Sequence, residues 1–491
     1  MAAQAKIDVG GILRPQGRLD YSTALHPYHG TLGERGAAHL LRRAGFGSGP
    51  QDVRRYAAMR APEAVASLVS LPSPNSITPP QALENATQPL STATDPMQRM
   101  MLGQEVVPRH RVTFGEHMQV ILAMQLWWLN RMLTSPAPLQ EKMTLYFHGH
   151  FTTRATPLFP WITYNHNQLL RRYALGNLRE LTRDVSKDAA MLKYLNGAEN
   201  VAAHPNENYA RELMELFTLG IGAYTERDVR ESARAWTGWR VNNRADTVTF
   251  DASLHDSGIK TFLGHTGNFT GDDIVDIIFT QPQCARFFAS SLLNWFVYNN
   301  PEPELVDRVA ALLRRHNFEL APVVSAILSS NVFYSSRAYR ALVKSPVEFV
   351  VGTYKTLGLG AVDQSALAAL EEMGQRLFFP PNVAGWPGGQ NWLTSGTMIA
   401  RQNFLTRLLG SQTLSSSSWL GRLPVASRNA AERVVQAVLQ GDVAPASVVE
   451  LEAYLSGAGS AALASLSTEN YDQRISGALY LAVATPAYQL N

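Results

Sequence analysis

A chain of 491 residues that is 45% hydrophobic and 17% charged has the composition of a globular protein with a sizeable core. Its formal net charge of +3 is too small to indicate a nucleic-acid-binding protein, and no basic stretch is interleaved with aromatic residues. The single cysteine, Cys284, excludes an intramolecular disulfide framework and a cysteine-based zinc cluster.

The sequence also bears on location. No segment approaches the roughly 18 uninterrupted apolar residues of a membrane span, so we expect no membrane insertion. The N-terminal sequence MAAQAKIDVGG lacks the charged-then-apolar plan of a signal peptide. As it stands, the chain predicts a cytoplasmic protein or one whose export signal has been removed.

Helical periodicity dominates the chain and predicts a mainly α, multi-helical fold. Helices are predicted at 37–47, 50–69, 114–133, 136–150, 166–181, 188–195, 207–219, from 225 to a turn at 236–239, and at 272–280, 282–298, 304–316, 320–329, from 346, 364–376 and 395–409. Only 248–250 and 259–264 have strand character, and together they predict one short two-stranded β-ribbon.

Composition divides the chain further. Residues 1–36 show little periodicity and predict an N-terminal arm, whereas residues 71–99 are rich in Pro, Ser, Thr and Asn and predict an exposed loop. The serine-rich segment 411–418 predicts a linker. We therefore expect a helical body over 37–410 and a small helical appendage over 419–491.

The stretch from 205 to 239 holds the densest group of candidate functional residues. Asn206 as N-cap and Gly220 as stop predict a helix between them, and Thr225 caps the next helix. The candidate functional residues among their charged side chains are Glu207, Arg211, Glu212, Glu215 and Asp228.

Two interpretations of these charges stay open. Glu207, Arg211 and Glu215 follow the i, i+4, i+8 spacing of helix ion pairs, which predicts a solvated polar stripe. Glycoside hydrolysis instead needs two carboxylates with separated pKa values, one as acid and one as nucleophile or base. Glu207, Glu212 or Glu215 would supply one of them and Asp228 the other.

His148 and His150 form a His-x-His pair at the end of a predicted helix. On a continuous helix their side chains would point about 200° apart, so they could not share a metal. Gly149 is a poor helix former, and if the helix ends there both imidazoles can face one cleft. The alternative is one histidine in the core and one at the surface.

His255 is followed directly by Asp256, and an adjacent carboxylate can orient an imidazole. The alternative is a turn in which Asp256 bonds the backbone near Gly258. With Glu212 or Asp228, three histidines would suit one divalent transition metal such as zinc, iron or copper. The candidate metal ligands are His148, His150 and His255.

Four tryptophans, Trp236, Trp239, Trp386 and Trp392, lie close to glycines at predicted turns. Flat rings in such places can line a groove and stack on sugar rings, with Tyr209 and Arg211 as further substrate-binding candidates. The competing interpretation is that these rings fix loops onto the helical body.

Several ordered motifs resemble the bacterial DUF1800 family. The matching segments are HLLRRAGFG (39–47), KMTLYFHGHF (142–151), NENYARELMELFTLG (206–220), YTERDV (224–229), TGW (237–239), HDSGIKTFLG (255–264) and PPNVAGWPGGQNW (380–392). The resemblance covers roughly 37 to 409 and implies a largely helical protein. Because the family has no known function, it assigns no catalytic residue.

The resemblance implies two further properties. Many members begin with an export signal, often of twin-arginine type, which would place this protein in the periplasm or outside the cell. Members are often encoded beside DUF1501-type proteins, so such a protein is a possible partner. This sequence has Phe217 where many members have a histidine, which weakens a metal site that needs a ligand there.

Three hypotheses follow from the sequence. The first is a hydrolase that acts on a polysaccharide or glycan through the carboxylates, and the second is a metal-dependent hydrolase or oxidase that uses the histidines. The third is a non-catalytic binding or assembly protein of the cell envelope. The motifs of serine hydrolases (GxSxG), nucleotide-binding proteins (P-loop, GxGxxG) and zinc proteases (HExxH) are absent from the sequence.

Overall fold

A computed structural model describes residues 20–70, 77–85, 114–155, 160–242, 247–411, 427–456 and 468–491. These residues fold mainly into α-helices, which confirms the predicted fold class. The helices are α1 Gly33–Arg43, α2 Pro50–Ala57, α3 Ala61–Val69, α4 Gln81–Asn85, α5 Phe114–Thr134, α6 Pro138–His150, α7 Pro160–Arg172, α8 Leu178–Ser186, α9 Ala189–Tyr194, α10 Asn208–Glu212, α11 Glu226–Ala235, α12 Gly271–Thr280, α13 Pro282–Phe296, α14 Pro303–Arg315, α15 Leu320–Leu328, α16 Pro346–Thr356, α17 Gln364–Glu372, α18 Ser395–Ser411, α19 Ser427–Leu439, α20 Pro445–Ser456 and α21 Thr468–Val483.

Two antiparallel ribbons replace the single ribbon predicted from the sequence. Strand β1 (Trp239–Asn242) pairs with β2 (Thr247–Phe250), and β3 (Lys260–Phe262) pairs with β4 (His265–Gly267). The two predicted strands therefore both exist, but each pairs with a near neighbour in sequence. Short hairpins close smaller loops than the predicted pairing would, which costs less conformational entropy.

Helix α6 lies at the centre of the molecule, where every residue from Leu139 to His148 is buried. Leu139, Met143 and Phe147 belong to an apolar cluster built mainly by α1–α3 and α8–α15. Leu145 belongs to a second cluster, built mainly by α5 and α16–α21. A helix between two cores is buried all round, so its polar side chains must find partners inside the protein.

The C-terminal helices share a core with the preceding ones. Val434 and Leu479 lie in the same apolar cluster as Phe349 and Phe404. The described residues after 427 are therefore packed against α16 and α18, and the predicted division at 410 stays a prediction. The predicted segments 1–19, 71–76, 86–99 and 412–418 lie outside the described residues.

Local signals set the helix boundaries around the central motif. Thr225 and Asp228 form the capping box at the start of α11, as the sequence predicts. Asn206 instead lies before α10, with its Oδ1 accepting the Asn208 N–H at 3.0 Å. After Glu212 the same helix widens into a π-helix over Leu213–Thr218. In the described part of the chain, no helix combines the length and apolar composition needed to cross a membrane.

Candidate functional site

The charged stripe of the central motif is an ion-pair network in part. Arg211 donates to both oxygens of Glu226 at 2.7 Å and to Glu207 at 3.3 Å, and the three side chains are a third or more exposed. Such a pair at the surface adds little to stability. This half of the stripe therefore matches the predicted solvated ion pairs.

The other half brings two carboxylates together. Tyr224 donates its hydroxyl to Glu215 at 2.7 Å, and burial followed by this hydrogen bond raises the pKa of Tyr224 to about 12. Burial and the charge of Glu215 raise the pKa of Glu212 above its usual value. The structure thus gives these neighbours different environments, as an acid–base pair would require.

Asp228 is occupied by structural contacts. Its Oδ2 accepts from the backbone N–H and the hydroxyl of Thr225 at 2.9 and 2.6 Å, and its Oδ1 accepts from Leu263 N–H at 2.8 Å. The Leu263 backbone has a φ of 45°, a conformation that side-chain-bearing residues rarely adopt. Asp228 therefore caps α11 and holds this turn, which leaves it poorly placed to act as a second catalytic carboxylate.

The helix containing the His-x-His pair continues through Gly149 to His150. His148 is buried, and its Nε2 accepts the Phe378 N–H at 3.1 Å. Burial and then nearby His166 lower the pKa of His148 to about 3. Its ring is neutral at pH 7, and its one acceptor nitrogen is already used.

His150 points to a different environment. Its Nε2 lies 2.9 Å from the carbonyl oxygen of Phe217, in the last turn of the π-helix, where carbonyls lack partners within the helix. A carbonyl can only accept, so Nε2 carries the hydrogen and Nδ1 is the acceptor nitrogen. Burial lowers the pKa of His150 to about 4, which the Phe217 bond opposes only in part.

The other predicted histidine is held by its own turn. His255 Nδ1 bonds the carbonyl of Thr237 at 2.9 Å, while Asp256 accepts two hydrogen bonds from Arg234 and one from Gly258 N–H. Asp256 thus makes the turn contact that the sequence offered as the alternative. Among the described residues no three His, Cys, Asp or Glu side chains lie where they could hold one metal ion, so His148, His150 and His255 are not brought together.

The four predicted tryptophans fall into two groups. Trp236 is buried against Tyr209, with ring centroids 5.4 Å apart, and Trp239 packs on Phe250. These rings fix local structure, which was the competing interpretation. Trp386 and Trp392 instead line a large cleft, and Trp386 also packs on His148 with ring centroids 5.3 Å apart.

The cleft has a volume of about 1040 Å³ and lies between α6, α13, the start of α16 and the 386–392 loop. His150 is on the wall of the cleft, and the π-helix holds its ring through the hydrogen bond to the Phe217 carbonyl. Aromatic rings on the wall are Tyr146, Trp295, Trp386 and Trp392, and the amide side chains are Asn294, Asn299, Asn300, Gln375, Gln390, Asn391 and Asn491.

The charged groups at the cleft are paired. Glu302 bonds Arg337 through Oε1 and accepts the Tyr298 hydroxyl at 2.8 Å through Oε2. Glu348 is buried and pairs with Lys142. Burial alone would raise the pKa of Glu348, but Lys142 and the Ser345 hydrogen bonds lower it below its usual value.

Most of these cleft residues were not among the sequence candidates. Trp295 sits inside a helix pattern and reads as core, although it contacts Tyr146 at a centroid distance of 5.6 Å. Asn299 and Asn300 stand before Pro301, an Asn-Asn-Pro turn that marks a loop but not a site. Only tertiary packing places them opposite the 386–392 loop.

Fold and site together define a multi-helical protein with an aromatic and amide-lined cleft beside a π-helix that supports a histidine. Residues 39–490 match the family model described as a protein of unknown function, DUF1800. The chain belongs to this family, as its motifs predict. No curated protein and no solved structure matches the chain.

Proposed function

We propose that this protein binds a segment of a glycan in the cleft. The observation that carries the proposal is that Trp295, Trp386 and Trp392 line the same cleft as seven amide side chains. Sugar rings present flat C–H faces that stack on tryptophan, and their hydroxyls both donate and accept hydrogen bonds. Asn and Gln amides also do both, so they match hydroxyl groups in any orientation.

The charge of the cleft supports a neutral ligand. The Glu302 carboxylate is balanced by Arg337, and Glu348 is balanced by Lys142. His150 is neutral at pH 7, because its pKa is held near 4 by burial. A ligand without net charge therefore loses no favourable ionic solvation when it enters, whereas a phosphorylated or acidic one would meet no uncompensated cation at these pairs.

His150 gives the cleft a fixed hydrogen-bond acceptor. Because Phe217 holds the Nε2–H, the lone pair of Nδ1 is the one that remains for a ligand hydroxyl. The stacked Tyr146 ring, 5.9 Å away, and Phe288 at 5.3 Å keep the imidazole in this orientation. A residue that accepts from a hydroxyl in a binding site can also remove its proton during a reaction.

The Trp386→Ala variant should bind glycan about ten-fold more weakly than the wild type, a loss of about 1.4 kcal/mol, because a stacking surface is removed. Calorimetric titration with soluble neutral oligosaccharides of glucose, N-acetylglucosamine and mannose measures this. The exposed Gln390 makes a milder second variant, Gln390→Ala. Trp239→Ala is the matched control, since that ring packs on Phe250 outside the cleft lining.

Two results would contradict the proposal. One is a wild-type protein that binds none of the neutral oligosaccharides. The other is equal weakening by Trp239→Ala and Trp386→Ala, which would indicate a general loss of structure. Far-ultraviolet circular dichroism of each variant separates loss of binding from loss of fold.

Glycoside hydrolysis is the second candidate function, and the Glu212–Glu215 neighbours favour it. A carboxyl whose pKa is raised by burial and by a second carboxylate is the environment of a general acid. Glu215, which accepts from the Tyr224 hydroxyl, would be the second carboxyl group of the pair. Neither residue is on the wall of the cleft described above, so this reaction would take place at a separate surface or at an extension of the bound chain.

Glu212→Gln should lower the rate of reducing-end release from a glycan that the wild type cleaves by about 10²-fold or more, the usual contribution of a general acid. Glu207→Gln, at the residue just before this helix, is the control, because Glu207 pairs with Arg211 at the surface. An unchanged rate in Glu212→Gln would rule out Glu212 as the general acid. It would not contradict the proposal that the cleft binds a glycan.

A further inference from the structure

A second group of charged residues lies beside the cleft, on the other side of the segment that leads into α16. It contains an excess of buried cations. The buried basic side chains are Arg42, Arg43, Lys142, Arg340, Lys344 and Arg401. The acidic partners that pair with them are the buried Glu348 and the partly exposed Asp442.

Four of these cations have evident partners. Lys142 pairs with Glu348, and Arg340 pairs with Asp442 at 2.5 Å. Arg43 donates to four backbone oxygens at 2.7 to 3.1 Å, and Arg401 donates to the Gln489 side chain and the Lys344 carbonyl. The two that remain are Arg42 and Lys344.

Arg42 is only partly satisfied. Its Nη1 donates to Gln440 Oε1 at 2.7 Å. Its Nε and Nη2 are buried and make no hydrogen bond of normal geometry among the described residues, although the neutral Tyr339 hydroxyl lies close enough to oppose the lowering of the Arg42 pKa by burial. Arg42 is 8% exposed. Leaving guanidinium N–H groups unpaired in the interior costs more than a typical hydrogen bond contributes, so a missing acceptor is expected here.

Lys344 is 4% exposed, and its Nζ lies 3.6 Å from the centroid of the Tyr488 ring. Burial, then Arg42 and Arg340, lower its pKa far below the usual lysine value. The charged form of Lys344 is therefore disfavoured, because these two arginines repel it in a site of low polarity. An anion between them would relieve this repulsion.

A small cavity lies at the meeting point of these groups. Arg42, Arg340 and Lys344 line it, together with Ser48 and Gln440. Its volume of about 20 Å³ is enough for about one water molecule, which needs roughly 10–15 Å³, so a tetrahedral anion must extend into adjoining space. An adjoining cavity of about 70 Å³ shares Val53 and Ala437 with it and is lined by two further arginines, Arg54 and Arg433.

We propose that this cavity and the adjoining one together form a binding site for a small inorganic oxyanion of the phosphate or sulfate class. Guanidinium, ammonium and hydroxyl groups converge on it, and the planar fork of an arginine fits a tetrahedral oxyanion better than a spherical ion. The buried Arg42 donors without partners point to a ligand at this site. The site is independent of glycan binding, since its lining residues are not those of the cleft.

Thermal unfolding of the full chain in inorganic phosphate tests the site, with sodium chloride keeping the ionic strength equal in all samples. A ligand that binds only the folded state at about 100 times its Kd should raise Tm by about 3 °C in a chain of this size. Calorimetric titration should give about one phosphate per chain, and sulfate should replace phosphate.

Arg42→Met and Lys344→Met should both abolish the rise in Tm. Without phosphate neither should unfold earlier than the wild type, because the first removes an uncompensated cation and the second a buried amine whose charged form is disfavoured. Arg55→Met is the matched control, since its side chain is 64% exposed and pairs with Asp52, and it should keep the full response. No response in the wild type, or the same response in all four proteins, would overturn the site. The calorimetric titration of the wild type with phosphate tests the site even if a variant does not fold.

Discussion

Lowering the pH from 7 to 4.5 should destabilise the protein by several kcal/mol, because three histidines are folded in their neutral forms. Burial lowers the pKa of His148 to about 3 and of His150 to about 4, and it lowers that of His39 far below the usual 6.5. In the unfolded chain all three take up protons near pH 6.5.

The direction of the effect follows from where the protons bind. Below pH 6.5 the unfolded state holds more protons than the folded state, so the free energy of unfolding falls as the pH falls. Each histidine contributes up to about 1.4 kcal/mol per pH unit, or about 4 kcal/mol per unit for all three. The contribution is complete above pH 6.5 and is lost down to about pH 4 for His150 and about pH 3 for His148.

Urea unfolding between pH 7 and 4.5 measures this slope. Carboxylates whose pKa values are lowered in the fold, such as Glu348, act mainly below that range. Lys344, whose pKa is lowered well below its usual value, acts in the same direction as the histidines, so each variant is compared with the wild type. His148→Gln should reduce the slope by about one proton, whereas His204→Gln should leave it unchanged because that ring is exposed. An equal slope in His148→Gln and the wild type would contradict neutral burial of His148. His150 opens onto the cleft, so its share should be the smallest.

The fold class and many helix limits could be predicted because they depend on residues close in sequence. Thr225 and Asp228 supply both halves of a capping box within four residues, and the structure contains this capping box. The ribbons were harder, since β1 lies in a segment that reads as a turn after Trp236. The π-helix at Leu213–Thr218 has no sequence signal that distinguishes it from an α-helix.

The candidate site could be predicted only in pieces. Trp386 and Trp392 were identified because glycine and proline surround them, and both line the cleft. His148 and His150 were identified, but the prediction that both face one cleft depended on a helix break at Gly149. The helix continues instead, so the two rings lie on different sides and meet different partners.

What decides the rest of the site is contact between distant segments. Trp295 and Gln375 are separated from His150 by more than a hundred residues, and nothing local indicates that they share a wall. The same holds for Arg42 and Lys344, each of which reads as an ordinary basic residue. An uncompensated charge becomes visible only when every neighbour in space is known.

Glu141→Gln should lower the free energy of unfolding by about 3–5 kcal/mol, the cost of leaving a buried charge without its partner. Glu141 is fully buried and accepts five N–H groups, from Trp128, Arg131 and Arg171, at 2.9 to 3.1 Å. Burial alone would raise its pKa, but Arg171 and Arg131 lower it below the usual value. A glutamine has nearly the same shape but no charge. Its amide NH2 group would also face the N–H donors of Trp128, Arg131 and Arg171, with which it cannot form hydrogen bonds.

The exposed pair of Arg376 and Glu371 provides the control, because Glu371 is 63% exposed and Glu371→Gln should change stability by no more than about 0.5 kcal/mol. Urea unfolding at pH 7 measures both. Arg171 is 1% exposed and cannot reach solvent, whereas Arg131 can. The double variant Glu141→Leu, Arg171→Met should therefore be more stable than Glu141→Leu alone, since it removes the charge left behind. If the double variant is the less stable of the two, Arg171 contributes through packing, and the ion pair is not what holds α6 between its two cores.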